Sequence, residues 1–173
     1  MKLKNVLIIA LSLLVTSINS QTKVTTPKLG KNVIKVVVEN ETYYLTKDIG
    51  YNVVGQYNNI NGDYNQTTKT NSNEPIAKLN EDGTGLWQNY GTSKVNMEWG
   101  FECEMDGTPK KNESPYGAVY RLWYKIKEQL AFVNSSNGKT TLSGDIDKWD
   151  IVQFSIHFDE KKMYILGERV KTY

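Results

Sequence analysis

The feature that most constrains the fold of this sequence is a strict alternation of side chains over residues 94–106. Successive residues of an extended strand point to opposite faces, so alternation of this kind separates an apolar face from a polar one. The apolar face carries Val95, Met97, Trp99, Phe101, Cys103 and Met105, and the polar face carries Lys94, Asn96, Glu98, Glu102, Glu104 and Asp106. The segment therefore predicts a long β-strand whose apolar face lines either a packed core or a ligand cavity.

Similar segments follow one another along the chain and are separated by turn residues. The pairs Asp82-Gly83 and Asp106-Gly107 are strong hairpin signals. No segment has a convincing apolar repeat at helical spacing, so we expect an all-β, mostly antiparallel, meander-like domain. The other predicted strands cover residues 33–39, 42–46, 51–57, 75–80, 85–90, 118–127, 129–134, 150–158 and 163–170.

About eight to ten strands joined by short connections can form either a closed up-and-down β-barrel or a two-sheet sandwich. Closure removes exposed sheet edges, and sequential hairpins favour the barrel because a Greek-key sandwich needs long crossovers. We expect the barrel, with the sandwich as the alternative.

The chain begins with a segment typical of a signal peptide. Lys2 and Lys4 precede an apolar run from Val6 to Val15, which is too short to span a bilayer as a stable helix. We expect residues 1–20 to be a signal peptide, residues 21–32 a flexible leader and residues 33–173 a single β-barrel domain. The predicted location is outside the cytoplasm, in the periplasm or the medium.

Charge and cysteine content exclude several classes of function. Loss of Lys2 and Lys4 with the signal peptide lowers the formal net charge from +2 to zero, which gives no electrostatic basis for binding nucleic acid. We predict no membrane span and no cofactor. The single cysteine, Cys103, cannot form an internal disulfide, and its place on the apolar face predicts a buried thiol.

The sequence does not assemble a recognisable catalytic or metal site. His157 is the only histidine, and Ser155 lies two positions away on the same predicted strand, which is beyond hydrogen-bond reach without distortion. One histidine and one cysteine cannot form a usual transition-metal site, and the acidic residues of the 94–106 segment are expected on a solvated face. We therefore predict no catalytic residues, no metal ligands and no enzyme activity.

The aromatic side chains are the best candidates for a binding site. Those predicted inside the barrel are either core residues or pocket lining, because eight strands leave room for packed side chains or for one small ligand. The candidate ligand-binding residues are Trp99, Phe101, Tyr120 and Tyr124. Trp123 lies on the opposite face of its strand with Arg121, Lys125 and Lys127, where it could cover their aliphatic stems or mark a contact surface.

Two short segments resemble lipocalins. Gly55-Gln56-Tyr57 resembles the Gly-x-Trp motif that opens lipocalin barrels, and Arg169 in "LGERV" is similar to the arginine that packs from the last lipocalin strand across that aromatic residue. The phrases "LNEDGTGLWQ" and "EWGFECEMDG" also resemble hairpins of bacterial lipocalin-like, calycin-type proteins of unassigned function. The resemblance implies that Tyr57 and Arg169 meet and close one barrel end, and that residues 58–74 form a large loop at the open mouth.

Two functions follow from this interpretation. The first is an exported lipocalin-like binding protein that holds a small apolar or amphipathic ligand in the barrel interior. The alternative is a periplasmic or secreted protein-interaction module, of the inhibitor or immunity type, whose barrel core is solid. The presence of a cavity separates the two.

Overall fold

The computed structural model describes residues 28–60, 74–134 and 136–172, and no described residue is helical. The predicted signal peptide (1–20), most of the predicted leader and most of the predicted mouth loop lie outside the described residues. The strands are β1 (Ile34–Val38), β2 (Glu41–Thr46), β3 (Gly55–Asn59), β4 (Ala77–Leu79), β5 (Thr84–Trp87), β6 (Val95–Cys103), β7 (Lys111–Ser114), β8 (Gly117–Ile126), β9 (Leu130–Val133), β10 (Thr140–Ser143), β11 (Asp150–His157), β12 (Lys162–Ile165) and β13 (Arg169–Thr172).

Eight of these strands form a closed antiparallel barrel, which confirms the predicted fold class. Their order around the barrel is β3-β4-β5-β6-β8-β11-β12-β13, and β13 pairs with β3 through Arg169 with Asn59 and Val170 with Asn58. The pairing of β6 with β8 completes the ring. Closure excludes the two-sheet sandwich, and the architecture is consistent with a lipocalin-like barrel.

The apolar face of the 94–106 segment lies inside the barrel, as its alternation predicts. Its apolar residues from Val95 to Cys103 are all buried. Phe101 packs edge-on against Phe154 at 4.9 Å between ring centroids, and Tyr120 packs edge-on against both rings. The middle of the barrel is therefore filled by side chains.

One strand predicted over residues 163–170 is in fact two. Leu166 and Gly167 have φ values of 55° and 69°, so the chain turns at these residues and pairs Ile165 of β12 with Arg169 of β13. Glycine adopts positive φ without steric cost, whereas leucine does so rarely. The turn makes β13 a separate strand, and that strand closes the barrel.

The hairpin formed by β1 and β2 covers the outside of the barrel. β2 pairs with residues 101–103 of β6, next to the β6 residues that pair with β5. Leu45 packs directly on Gly100, where an added Cβ atom would lie 2.9 Å from the Cβ of Leu45. The chain is attached to the barrel before β1 as well, because the backbone N–H of Gly30 donates to the carbonyl of Met105.

Trp123 is not an exposed contact surface, because this hairpin covers it. Its side chain is 2% exposed and packs with Val36 and Leu45 in a second apolar cluster, outside the barrel. The ring of Tyr43 lies 4.5 Å from the ring of Trp123. Alternation assigned Trp123 to the outer face correctly, but it could not reveal that another part of the chain covers that face.

Glu102 was expected on a solvated face, but it lies under the same β1–β2 hairpin and is only 4% exposed. Its Oε2 atom accepts hydrogen bonds from Arg121 Nη1 at 3.1 Å and from Trp123 Nε1 at 3.2 Å, and its Oε1 atom accepts one from Lys110 Nζ at 3.2 Å. A buried carboxylate is tolerated only when it is paired and hydrogen-bonded, and these three donors meet that requirement.

Residues 47–54 lie at one end of the barrel and contribute Ile49 and Val53 to the main core. The hydroxyl of Tyr57 donates to the carbonyl of Val53 at 2.8 Å, which ties this segment to β3. Tyr51 stacks on Phe158 at the same end. We call the opposite end of the barrel the mouth.

Candidate ligand-binding site

The mouth is the end of the barrel at which Trp87, Ile126, Asp150 and Arg169 lie. The antiparallel register places them there, since Tyr124 is opposite Asp150, Met97 is opposite Ile126 and Trp87 is opposite Val95. The connection between β8 and β11, residues 127–149, contains the β9–β10 hairpin at this end. The backbone of Ser93 donates to the carbonyl of Ala131, which joins this hairpin to the loop after β5.

A pocket of about 570 Å³ opens at the mouth. Aromatic and aliphatic side chains from β5 and β8 form one wall, and residues 143–150 form the other. Its lining consists of Trp87, Asn89, Tyr124, Ile126, Leu130, Ser143, Gly144, Asp145, Lys148, Trp149 and Asp150. The lining thus combines aromatic and aliphatic side chains with five polar or charged ones, which suits an amphipathic rather than a purely apolar molecule.

The wall is organised around the indole of Trp87. The ring of Tyr124 stacks on it at 4.3 Å between centroids with an interplanar angle of 22°, and the guanidinium of Arg169 lies 4.2 Å from the indole centroid. Trp87 Nε1 donates to Asn89 Oδ1 at 3.0 Å, and Arg169 Nη2 donates to the same oxygen at 3.1 Å. These contacts hold the stack in one orientation.

Arg169 stacks on Trp87 rather than on Tyr57, which corrects the expected barrel-closing pair. Tyr57 packs edge-on against Phe154 at 6.0 Å between centroids and belongs to the main core. The resemblance pairs Arg169 with an aromatic residue of β3, whereas the ring that Arg169 contacts belongs to Trp87 of β5, which it reaches when β13 closes the barrel. Arg169 and Asn59, the last residue of β3, lie at the mouth, not at the end that residues 47–54 occupy.

Arg169 is a fully buried cation with one ion-pair partner among the described residues. Burial lowers the pKa of its guanidinium, while the charge of Glu168, 2.5 Å from Nη1, opposes that shift. Nη2 also donates to the carbonyl of Gln88 at 2.7 Å. Among the described residues, two buried side-chain polar atoms have no hydrogen-bond partner: Nε of Arg169 and Oε1 of Gln88.

Tyr124 connects the aromatic stack to a carboxylate. Its hydroxyl donates to Asp150 Oδ2 at 3.2 Å. Burial raises the pKa of the Tyr124 hydroxyl to about 12, and the charge of Asp150 adds to the shift while that of Arg169 opposes it. The hydroxyl is therefore protonated at neutral pH and remains a donor.

Trp149 forms the part of the opposite wall nearest the outside of the barrel. Lys125 Nζ lies 5.0 Å from its ring centroid and forms an ion pair with Glu98 at 2.9 Å. Trp149 also lines a second cleft of about 250 Å³, between the β1–β2 hairpin and the barrel. Trp149 thus lies between the mouth pocket and this second cleft.

The four residues predicted to bind ligand do not share one site. Tyr124 lines the mouth pocket, whereas Phe101 and Tyr120 are packed against other core rings. Trp99 borders a depression of about 720 Å³ near residues 46–50, but its indole is almost wholly buried and donates to the carbonyl of Thr84. Trp87, Trp149 and Asp150 were missed, because nothing local to their sequence indicates that they meet.

The polar residues considered for catalysis lie elsewhere. His157 is half-exposed at the far end of β11, its Nδ1 is 3.7 Å from Glu160 Oε1, and its ring lies 4.7 Å from that of Tyr164. Within residues 28–60, 74–134 and 136–172 no group of three or more His, Cys, Asp or Glu side chains is placed to hold a metal ion. In the same ranges no helix is long and apolar enough to cross a membrane.

Comparisons of the chain with protein-family models, with curated proteins and with solved structures gave no match.

Proposed function

We propose that this protein is an exported, lipocalin-like binding protein that holds a small apolar or amphipathic molecule at the mouth of its barrel. The observation that carries the proposal is the pocket of about 570 Å³, whose wall includes the Trp87–Tyr124 stack. The half-buried rings of Tyr124 and Trp149 offer apolar surface to a ligand, and Ile126 and Leu130, which are 5% and 4% exposed, add small edges to it. Burial of such surface by a ligand is favourable by about 25 cal/mol per Å².

The ligand would occupy the mouth rather than the deep interior. The rings of Phe101, Tyr120 and Phe154 fill the middle of the barrel with edge-on contacts of 4.9–6.2 Å between centroids. Displacing them would expose packed core surface, which is costly because protein interiors are close-packed. We therefore propose a site above this core, beside the Trp87–Tyr124 stack.

The larger depression near residues 46–50 is a weaker candidate. Its lining includes five charged residues on turns and loops, and Trp99 is its only aromatic contributor. Charged side chains on turns are well hydrated, so a ligand there would displace favourable water contacts without burying much apolar surface. The mouth instead offers two partly exposed aromatic residues, Tyr124 and Trp149.

A protein-interaction module is the alternative function, and one observation favours it. Val133 and Leu142, 58% and 56% exposed, lie on the same face of the β9–β10 hairpin beside the mouth. Exposed apolar side chains that lie together often mark contact surfaces. The solid middle of the barrel is compatible with this function too.

Binding of a neutral apolar fluorophore, N-phenyl-1-naphthylamine, tests the proposed function. We expect the dye to bind at the mouth and Tyr124→Ala to weaken binding several-fold, because the variant removes apolar wall surface. Tyr116→Ala is the matched control, since Tyr116 is exposed at the β7–β8 turn at the other end of the barrel. Absence of binding, or equal effects of the two substitutions, would contradict a ligand site at the mouth and favour the interaction module.

A further inference from the structure

Asp150 is an exposed carboxylate that lines the mouth pocket beside Tyr124 and has no cationic partner among the described residues. Its Oδ2 atom accepts the hydroxyl of Tyr124 at 3.2 Å, and its Oδ1 atom accepts the backbone N–H of Ile151 at 2.8 Å. Both donors are neutral. The negative charge of Asp150 is therefore not balanced by an ion pair within the part of the chain that the structure describes.

The other charged residues that line the pocket are already paired. Asp145 and Lys148 both line the pocket, and Lys148 Nζ lies 3.4 Å from Asp145 Oδ2. Behind the wall, Arg169 Nη1 lies 2.5 Å from Glu168 Oε1. Lys125 Nζ lies 2.9 Å from Glu98 Oε2. Asp150 thus leaves one negative charge in excess at the pocket.

The rings beside Asp150 suit a positive charge, because the face of an aromatic ring attracts cations. The protein uses the same rings in this way, with the guanidinium of Arg169 over Trp87 and the ammonium of Lys125 near Trp149. Tyr124 stacks on Trp87 and donates to Asp150, so its ring and the carboxylate are held together.

We propose that the ligand of the mouth pocket is an amphipathic organic cation, an ammonium group with an apolar body. The ammonium group lies beside Asp150 and the rings of Tyr124 and Trp149, and the apolar body contacts Ile126 and Leu130. This assignment rests on the proposed function, since it names the ligand class of the same pocket. A carboxylate ligand would instead approach Asp150 with like charge, and Lys148 is already paired with Asp145.

Three probes of equal chain length test the ligand class: hexyltrimethylammonium, 1-hexanol and hexanoate, each titrated into the purified protein by calorimetry. We expect hexyltrimethylammonium to bind about five- to tenfold more tightly than 1-hexanol, because it adds cation–π and ionic contacts, and hexanoate to bind most weakly. If 1-hexanol or hexanoate binds as tightly as the cation, the ligand class is wrong while the mouth site stands. If none of the three binds, the proposed function and the ligand class both fail.

Two variants that each remove one negative charge test whether Asp150 causes the preference for the cation. Asp150→Asn keeps the size of the side chain and removes its charge, so we expect about fivefold weaker binding of hexyltrimethylammonium and unchanged binding of 1-hexanol. Asp159→Asn is the control, because Asp159 is exposed in the β11–β12 turn at the other end of the barrel. Equal losses of hexyltrimethylammonium affinity in the two variants would overturn the role of Asp150. Equal losses of affinity for hexyltrimethylammonium and 1-hexanol in Asp150→Asn would overturn it too. Thermal unfolding of each variant verifies that it is folded.

Discussion

The guanidinium of Arg169 lies 4.2 Å from the indole centroid of Trp87, although the two residues belong to strands that are not neighbours in the barrel. The contact spans the mouth from β13 to the end of β5. Both residues are almost completely buried, and Asn89 accepts a hydrogen bond from each. This contact therefore links barrel closure to the wall of the proposed ligand site.

A double-mutant cycle measures this contact. Arg169→Ala and Trp87→Ala should each destabilise the protein, and the double variant should cost less than their sum by about 0.5–2 kcal/mol, because one shared contact is lost. Urea unfolding gives the free energies. A parallel cycle of Arg169→Ala with Tyr57→Ala should show a smaller coupling energy, since Tyr57 packs against Phe154; equal coupling in the two cycles would contradict the observed stack.

Glu102 should contribute to stability through its three donors. Glu102→Ala leaves Trp123 Nε1 and two cationic groups without their acceptor, so we expect a loss of about 1–3 kcal/mol in the free energy of unfolding. Glu104→Ala is the matched control because its side chain is 64% exposed, and its effect should stay within about 0.5 kcal/mol. Similar losses in the two variants would show that the buried hydrogen bonds of Glu102 add nothing to stability.

Cys103 should resist thiol reagents in the native state. Its side chain is fully buried, and burial raises the pKa of the thiol to about 11, so little thiolate is present at neutral pH. Labelling followed by intact-mass measurement should be slow until denaturant is added. A second thiol introduced by Ser114→Cys on the exposed strand β7 serves as the reactive control; comparable native rates at both positions would mean that the inner face of β6 is accessible.

Alkaline unfolding should depend on Tyr124. An unfolded tyrosine ionises near pH 10, whereas the pKa of Tyr124 in the fold is about 12. The folded state therefore holds a proton that the unfolded state loses, so this contribution to stability is complete below pH 10 and is lost as the pH rises toward 12. Tyr124→Phe should reduce the decline of the unfolding free energy between pH 10 and 12, measured by urea titration at each pH. An unchanged slope would show that Tyr124 ionises equally in both states.

The predicted signal peptide leads to a mass prediction. Protein recovered from the periplasm or the medium of its own host should begin near Gln21, because the apolar run from Val6 to Val15 is typical of a cleaved export signal. Intact-mass measurement identifies the first residue. Full-length protein in those fractions would exclude cleavage.

The sequence by itself determined most of the strands and their faces, although β7 and β10 lie outside the predicted ranges and residues 163–170 form two strands. The alternation over residues 94–106 depends only on the two-residue period of an extended chain, and it correctly separated the interior side of β6 from its outer side. The Asp82-Gly83 hairpin was predictable for a local reason too, since Gly83 adopts a φ of 88°. The Leu166-Gly167 turn was missed because leucine rarely adopts positive φ.

Only the tertiary structure decided which residues meet across the barrel. Arg169 Nη2 contacts the carbonyl of Gln88, 81 positions away in the chain, and Tyr124 contacts Asp150 through the β8–β11 pairing. Trp123 and Glu102 were assigned to the outer face from alternation, but their burial depends on where the β1–β2 hairpin packs. Side-chain periodicity reports the side of a strand on which a residue lies, whereas its partners depend on barrel closure and on long-range packing, which no local pattern encodes.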